Sequence, residues 1–166
     1  MRCNDLIWGL PYDALVFSCM QEVVAGWLGL DVGPYAHQVG TMQVFEQHFE
    51  HARALVASPS KGEAGTSVDD LRLPYGEFEE VLDQLWAQVD QMVDATDPKA
   101  VLALWPTVQL PPAYQNMAAV LVSEILYRKG ATKDVVAEVL DHSSNVLQKR
   151  VVTRWLGQRF QPDRDA

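Results

Sequence analysis

The residues best suited to chemistry lie in the opening run of the chain, Arg2-Cys3-Asn4-Asp5-Leu6-Ile7-Trp8-Gly9-Leu10-Pro11-Tyr12-Asp13. An arginine guanidinium held on a strand can bind a phosphate through two parallel hydrogen bonds, which a lysine cannot do. An ionised aspartate only accepts hydrogen bonds, so Asp5 and Asp13 suit ligands that present N–H groups. The run therefore offers one group for an anion and two acceptors for N–H donors.

In words, the run is Arg-x-x-Asp, an apolar segment, Gly-x-Pro-aromatic and then a short polar side chain. It resembles the nucleotide-binding stretch of the thymidylate synthase superfamily, which includes pyrimidine nucleotide hydroxymethylases. A second run stands where these enzymes carry a Gly, a His, an aromatic residue and a closing His: Gly40-Thr41-Met42-Gln43-Val44-Phe45-Glu46-Gln47-His48. The resemblance covers residues 1–57, and the helical remainder of the chain has no recognised counterpart in the family.

The resemblance implies a role for each matching residue at the nucleotide's phosphate and at the folate. Arg2 matches the family's phosphate arginine, and Cys3 replaces a serine that also contacts phosphate. A thiol is a weak hydrogen-bond donor, so this replacement weakens phosphate binding. Asp5 matches the acid that reaches the reduced-folate ring and organises active-site protons, and Gly9 is assigned to the same cofactor.

The second run implies altered contacts with the sugar. Gln43 and Phe45 replace the His and Tyr that hold the sugar 3′-hydroxyl; a Gln can still form a hydrogen bond, whereas a Phe cannot. His48 fits the closing His, although a lone His at a strand-to-helix junction is more often structural.

Asp13 indicates which base is bound. Family members that act on uracil carry an Asn at this position, and an Asp resembles the cytidylate hydroxymethylases, because a carboxylate can accept from the C4 amino group of cytosine. Cytidylate is therefore the favoured ligand. The alternative is that Asp13 simply caps a helix that follows Pro11-Tyr12, since Asp is a preferred N-cap residue.

The nucleophile that the resemblance requires is absent from the chain. These enzymes attack the pyrimidine with a cysteine thiolate in a Pro-Cys-His context, and neither Cys3 nor Cys19 is followed by His. The resemblance thus implies a subunit or fragment that is inactive alone and whose missing half, or a partner chain, supplies the nucleophile. The reaction would be one-carbon transfer from 5,10-methylenetetrahydrofolate to pyrimidine C5, as methylation or hydroxymethylation.

Composition sets the class of protein. The chain has 166 residues, 48% of them hydrophobic, which is enough to bury a core. Its net charge of −9 disfavours binding to nucleic acid or anionic lipid. With no apolar stretch long enough to span a bilayer, no signal peptide and only two cysteines, we expect a soluble, cytoplasmic protein without disulfides or a metal.

The predicted secondary structure that would position these residues changes near residue 57, from alternating strands and helices to helices alone. Before it, we predict an α+β unit with a partial thymidylate synthase-like sheet: strands at 6–10 and 35–45, and helices at 13–28 and 46–56. Residues 58–66 read as a loop within a linker over 58–75. Residues 76–166 predict an all-helical extension, with helices near 78–93, 98–105, 112–128, 132–140 and 146–160.

Two expectations concern partners. Half a sheet exposes apolar surface and unpaired backbone, so we expect a homo- or hetero-oligomer, including a chain that carries the missing half. The first alternative function is a non-catalytic interaction module. The second is a helix-turn-helix over residues 131–160, in which Asn145 and Gln148 would read bases while cations bind phosphate, Lys149, Arg150 and Arg154.

Overall fold

A computed structural model of the chain describes residues 3–57 and 69–160. Within these residues the protein is mostly helical, with seven α-helices, two short turns of 3-10 helix and a small two-stranded parallel sheet near the N-terminus. The described chain forms two compact units: unit 1 comprises residues 3–57 and 72–74, and unit 2 comprises residues 69–71 and 75–160. The predicted loop over 58–66 lies outside the described residues.

Unit 1 is a strand–helix–strand unit followed by a short helix. Its elements are β1 (Cys3–Asp5), α1 (Gly9–Leu28), β2 (Thr41–Gln43), a 3-10 turn (Glu46–His48) and α2 (Phe49–Ala57). β1 and β2 pair in parallel, which requires a crossover connection, and α1 lies within that connection.

The start of α1 corrects two predictions. The first strand was expected at 6–10 and the helix at residue 13, but the strand ends at Asp5 and the helix begins at Gly9. The reason is local: the Asp5 carboxylate accepts hydrogen bonds from the backbone N–H groups of Trp8 and Gly9, which opens the helix early. Pro11 then lies in the first turn, where a backbone N–H has no helical acceptor to lose.

The second strand is also shorter than predicted. Only Thr41–Gln43 pairs, within a segment expected to be extended from 35 to 45. The pairing covers the three residues of β1, and one further hydrogen bond, from the Leu6 N–H to the Gln43 carbonyl, follows it. The predicted helix over 46–56 is observed as the 3-10 turn and α2 together.

The C-terminus of α1 is fixed by a left-handed glycine. Gly29 has a φ of 64°, and its N–H donates to the Gly26 carbonyl at 3.1 Å. The N–H of Leu30 donates to the Ala25 carbonyl at 2.9 Å. This pair of bonds is a Schellman motif, which a residue with a Cβ would form only under strain.

Unit 2 contains the five helices that the sequence predicted. They are α3 (Tyr75–Asp94), α4 (Pro98–Leu104), α5 (Pro112–Arg128), α6 (Lys133–Asp141) and α7 (Val146–Arg159), with a 3-10 turn over Trp105–Thr107. Asp97 caps α4 by accepting from the N–H of Ala100 at 3.0 Å, as its Asp-Pro sequence predicts. Gly130, with φ of 80°, ends α5 as Gly29 ends α1.

The core of the described chain lies in unit 2. α5 is its central helix, because it packs against α3, α4 and α6. Val122 and Leu126 of α5 are almost completely buried, and so are residues of the surrounding helices, Met92, Val101, Val136 and Val139. In unit 1, Ala25 is the one described hydrophobic residue that is buried. Among the described helices, none has the combined length and apolar character needed to cross a membrane.

Candidate functional site

The parallel pairing of β1 with β2 brings the two candidate runs together. Cys3 lies opposite Thr41, and Asp5 lies opposite Gln43. The N–H of Leu6 bonds to the Gln43 carbonyl at 2.9 Å, so the ladder continues one step past Asp5. Parallel strands end at the same edge of a sheet, so Asp5 and Gln43 lie at the edge from which α1 and the 3-10 turn begin.

The two oxygens of the Asp5 carboxylate have different roles. Its Oδ2 accepts from the backbone N–H groups of Trp8 at 2.5 Å and Gly9 at 3.3 Å, at the start of α1. A carboxylate at this position satisfies helix N–H groups that have no acceptor within the helix and complements the helix dipole. Its Oδ1 is buried and makes no hydrogen bond within the described residues. Asp5 therefore retains one acceptor for a donor.

Asn4 organises the opposite face of β1 and was missed by the sequence reasoning. It is 6% exposed, and its Nδ2 donates to Asp13 Oδ2 at 3.0 Å and lies 3.2 Å from His37 Nε2. His37 Nδ1 is in turn 2.7 Å from the Tyr35 hydroxyl. If Nε2 accepts from the Asn4 amide, the neutral ring carries its proton on Nδ1 and donates to Tyr35. Side chains alternate between the two faces of a strand, so Asn4 lies on the other face of β1 from Cys3 and Asp5. This alternation was the signal in the sequence that could have identified Asn4.

Asp13 lies in the second turn of α1. Because the helix begins at Gly9, the interpretation of Asp13 as an N-cap is wrong. Its carboxylate is half-buried and is held by the amide of Asn4. Asp13 is therefore a positioned hydrogen-bond acceptor on the first half of α1.

The second run contributes one firm contact. His48 Nε2 accepts from the indole N–H of Trp8 at 2.9 Å, and the two rings meet edge to face at 6.0 Å. This bond ties the 3-10 turn after β2 to the start of α1. Gln43 is exposed, and Phe45 is 50% exposed, so both side chains are open to solvent.

The remaining predicted residues have different outcomes. Arg2 lies outside the described residues. Cys3 is exposed on β1. A Cβ added to Gly9 would lie 2.1 Å from Asn4 Oδ1, so this glycine leaves room for the Asn4 side chain. Cys19 is half-buried on α1, and burial, followed by the nearby Glu22 carboxylate, raises the pKa of its thiol.

A polar network in unit 2 uses residues of the helix-turn-helix alternative. The buried Asn116 of α5 donates to Asp69 Oδ1 at 2.8 Å, and its Oδ1 accepts from Ser143 Oγ at 3.0 Å and the Ser144 N–H at 2.9 Å. Asn145 donates to Asp69 Oδ2 at 2.9 Å and caps α7 through the N–H of Gln148.

The cations of this segment are also partly engaged. Lys149 is 3.2 Å from Asp141 Oδ1, and Arg159 is 3.4 Å from Glu124 Oε1 and lies over the Trp155 ring at 4.2 Å. The amide of Asn145 and the ammonium of Lys149, two of the groups assigned to nucleic-acid binding, are therefore held by the chain itself, which weakens that alternative.

No cluster of three or more His, Cys, Asp or Glu side chains within the described residues could hold a metal ion. No protein-family model matches the chain, and no solved structure matches it. The case for a site therefore depends on the geometry of the strand ends in unit 1.

Proposed function

We propose that unit 1 is one half of a thymidylate synthase-like site for a pyrimidine nucleoside monophosphate, with cytidylate as the favoured ligand. The observation that carries the proposal is the parallel register of β1 and β2, which sets Asp5 opposite Gln43. Two runs that are far apart in the sequence thereby become neighbours, and the bond between Trp8 and His48 holds them together.

Recognition of the base is assigned to Asp13, which Asn4 holds on the face of β1 opposite Asp5, so the base and the folate would contact different faces at the end of the strand. Its carboxylate already accepts from the Asn4 amide, and a carboxylate has capacity for a further donor such as the cytosine amino group. A uracil carbonyl at the same place would face a second acceptor, and a mispaired buried polar group costs about 1–3 kcal/mol. That cost is sufficient to select between the two bases.

The fit of a reduced folate is confined to Asp5. The buried, unpartnered Oδ1 of Asp5 suits an N–H group of a pterin ring. Gly9 does not add to this fit, since the space beside it is taken by Asn4 Oδ1. When bound, 5,10-methylenetetrahydrofolate would supply the one-carbon unit; Asp5 would orient it while keeping the start of α1 in place.

The nucleophile must come from another polypeptide segment. Both causes that raise the Cys19 pKa, burial and the Glu22 carboxylate, disfavour the thiolate, and Cys3 occupies the phosphate-contact position of the resemblance. The exposed apolar side chains of α1 supply a surface for such a segment, Tyr12, Leu15, Phe17, Met20 and Leu28. We therefore assign the chain as a subunit that needs a partner chain or its missing half for one-carbon transfer.

A second candidate is a non-catalytic interaction module. The same exposed apolar surface of unit 1 favours it, because that surface requires a binding partner whether or not a nucleotide is bound. The two candidates differ in one measurable property, which is nucleotide binding by the assembled complex.

The test begins with a pull-down of the full chain from its native lysate and mass spectrometry of the co-purified proteins. We expect a partner that carries a Pro-Cys-His segment. The purified complex is then titrated with CMP, dCMP and dUMP by isothermal calorimetry. Binding of a cytidylate at least about tenfold tighter than dUMP is expected, which corresponds to 1.4 kcal/mol.

The variant Asp13→Asn sharpens this titration. It should reverse the preference toward dUMP, because an amide can accept from N3–H and donate to the C4 carbonyl. Asp31→Asn is the matched control, since Asp31 is a fully exposed aspartate of unit 1. A complex that binds none of the three nucleotides would leave the interaction module as the function, and a preference unchanged by Asp13→Asn would refute the role of Asp13.

A further inference from the structure

Four side chains of unit 1 form a hydrogen-bonded relay, Tyr35, His37, Asn4 and Asp13. The Tyr35 hydroxyl lies 2.7 Å from His37 Nδ1. The Asn4 amide nitrogen lies 3.2 Å from His37 Nε2 and donates to Asp13 Oδ2 at 3.0 Å. We propose that Asn4 is a specificity-determining residue, because the direction of hydrogen bonding along the relay decides which group residue 13 presents to the base. This role rests on the proposed function, since it concerns the same nucleotide site.

The orientation of the Asn4 amide is fixed by the carboxylate that it contacts. An ionised carboxylate only accepts hydrogen bonds, so the group of Asn4 that faces Asp13 has to be the NH2. With the amide turned over, Asn4 Oδ1 would face an oxygen of Asp13, and two acceptors would meet. Asn4 is 6% exposed, so water could not relieve that mismatch at low cost. Asn4 therefore acts as a donor at this point of the relay.

The protonation of His37 follows from the orientation of Asn4. An amide NH2 does not accept hydrogen bonds, so the ring nitrogen that it faces, Nε2, has to be the acceptor. A neutral imidazole with a free Nε2 carries its proton on Nδ1, where it donates to the Tyr35 hydroxyl. Each bond of the relay thus has a defined direction, from Asn4 to both of its neighbours and from His37 to Tyr35.

Gly9 provides the space that keeps Asn4 in place. A Cβ at this position would collide with Asn4 Oδ1, so the oxygen end of the amide packs against the backbone at the start of α1. The NH2 end of the same amide is held between Asp13 and His37. A side chain that is buried and contacted at both ends keeps one position, as a residue that orients another one must.

The direction of the relay determines what residue 13 offers to the base. With Asn4 as the donor, one oxygen of the Asp13 carboxylate is satisfied, and the other can accept from the amino group of cytosine. In the Asp13→Asn variant, the new amide would turn its oxygen toward the NH2 of Asn4. Its own NH2 would then face the base, where it matches the C4 carbonyl of uracil. Residue 4 therefore sets the polarity of residue 13.

Reversing the polarity of residue 4 should reverse the relay. The Asn4→Asp substitution replaces the NH2 by an oxygen of similar size that only accepts. In the double variant Asn4→Asp/Asp13→Asn, the amide at position 13 would donate to the carboxylate at position 4 and present its oxygen to the base. The double variant exchanges one Asn and one Asp, so the net charge of the chain is unchanged. Its preference should therefore return to cytidylate.

Calorimetric titration of the partner complex with dCMP and dUMP tests this role. The wild type should bind dCMP at least about tenfold tighter, Asp13→Asn should prefer dUMP, and the double variant should again prefer dCMP. Gln47→Glu combined with Asp13→Asn is the matched control, because it adds one acid at an exposed side chain of unit 1 and should keep the preference for dUMP. A double variant that also prefers dUMP would overturn the role of Asn4, since a purely structural residue changes the affinity for both nucleotides alike.

NMR of the imidazole nitrogens in the full chain tests the relay without a nucleotide. Among the four histidines, His37 is identified by the signals that disappear in His37→Gln. We expect the wild-type ring to carry its proton on Nδ1 near neutral pH, and the ring of the double variant to carry a proton on Nε2, because a carboxylate at position 4 accepts from it. A wild-type ring protonated on Nε2 would overturn the role of Asn4, even where a variant does not fold.

The two measurements together separate this role from the proposed function. Expected tautomers in a chain whose complex binds no nucleotide would refute the proposed function, and with it the selection of a base by Asn4. Expected tautomers with tight nucleotide binding but no reversal of the preference would refute the role of Asn4 alone.

Discussion

The two units of this chain distribute their apolar side chains in opposite ways. In unit 2, five helices surround a core in which side chains such as Val101, Val136 and Leu126 are completely buried. In the described part of unit 1, Ala25 is the single buried hydrophobic residue, whereas Trp8, Tyr12 and Leu15 are each more than 60% exposed. Unit 2 can therefore hold its fold by burial of apolar surface, and unit 1 lacks most of that contribution.

The helices themselves show the same difference. α3 and α6 have one apolar face and one charged face, which is the pattern of helices at the surface of a domain. α1 is apolar around most of its circumference, and Asp13 and Glu22 are its only charged residues. A helix of that composition is normally buried on all sides. α1 therefore has the composition of a helix in a domain interior. This composition supports the proposal that another polypeptide segment covers unit 1.

The sharpest way to challenge the comparison is to remove a leucine from each unit. Leu126→Ala should lower the free energy of unfolding by about 2–5 kcal/mol, because it leaves a cavity in a packed core. Leu15→Ala, at a side chain that is 63% exposed, should change it by less than about 0.5 kcal/mol. Urea unfolding followed by circular dichroism measures both. Equal losses would show that unit 1 has a core of its own.

The polar network of unit 2 gives the next largest effect. Asn116→Ala should cost about 2–3 kcal/mol, since Asp69, Ser143 and Ser144 would lose a buried partner together. Gln115→Ala, at the neighbouring position, is the control and removes a single partly buried bond to the N–H of Leu110. Thermal unfolding compares the two variants. If Asn116→Ala were no worse than its control, the network would not stabilise the unit.

Two glycine substitutions, one in each unit, test a close backbone approach in unit 1. A Cβ on Gly26 of α1 would lie 2.5 Å from the Leu73 nitrogen and 2.7 Å from the Arg72 Cα, so Gly26→Ala should displace this segment and cost about 1–3 kcal/mol. Faster tryptic cleavage after Arg72 would report the displacement. Gly157→Ala in α7, where an added Cβ would meet no atom within 4 Å beyond its own stretch of helix, should instead stabilise that helix by up to about 1 kcal/mol. Unchanged cleavage in the Gly26 variant would contradict the observed approach.

The smallest effect concerns the two thiols. Burial and Glu22 raise the Cys19 pKa, so at pH 8 the thiolate fraction is reduced and iodoacetamide should alkylate Cys19 more slowly than the exposed Cys3. Glu22→Gln should speed the reaction of Cys19 modestly, because it removes the lesser of the two causes. Glu46→Gln serves as the control. Peptide mass spectrometry follows both sites, and a Cys19 that reacts as fast as Cys3 would disprove its protected environment.

The sequence predicted the helices of unit 2 well, because each has local signals. Asp97-Pro98 starts α4 and Gly130 ends α5 through contacts within a few residues. The start of α1 was misplaced because it depends on the Asp5 carboxylate, whose capping role the run of apolar residues after it does not reveal.

The candidate site was only partly predictable for a related reason. Asp5, Asp13 and His48 could be selected by residue type, but the contacts of Asn4 with Asp13 and His37 depend on how the chain returns to β1. The bond between Trp8 and His48 depends likewise on the register of two strands. A single sequence carries no local signal for such distant pairings.

The most direct test of the central claim, that unit 1 needs a covering segment, is hydrogen exchange measured by mass spectrometry on the full chain alone. We expect the amides of α1 to exchange orders of magnitude faster than those of α5, because opening α1 exposes little additional apolar surface. Addition of a partner recovered by the pull-down should slow the exchange of α1 and leave α5 unchanged. Protection of α1 equal to that of α5 in the isolated chain would contradict the claim.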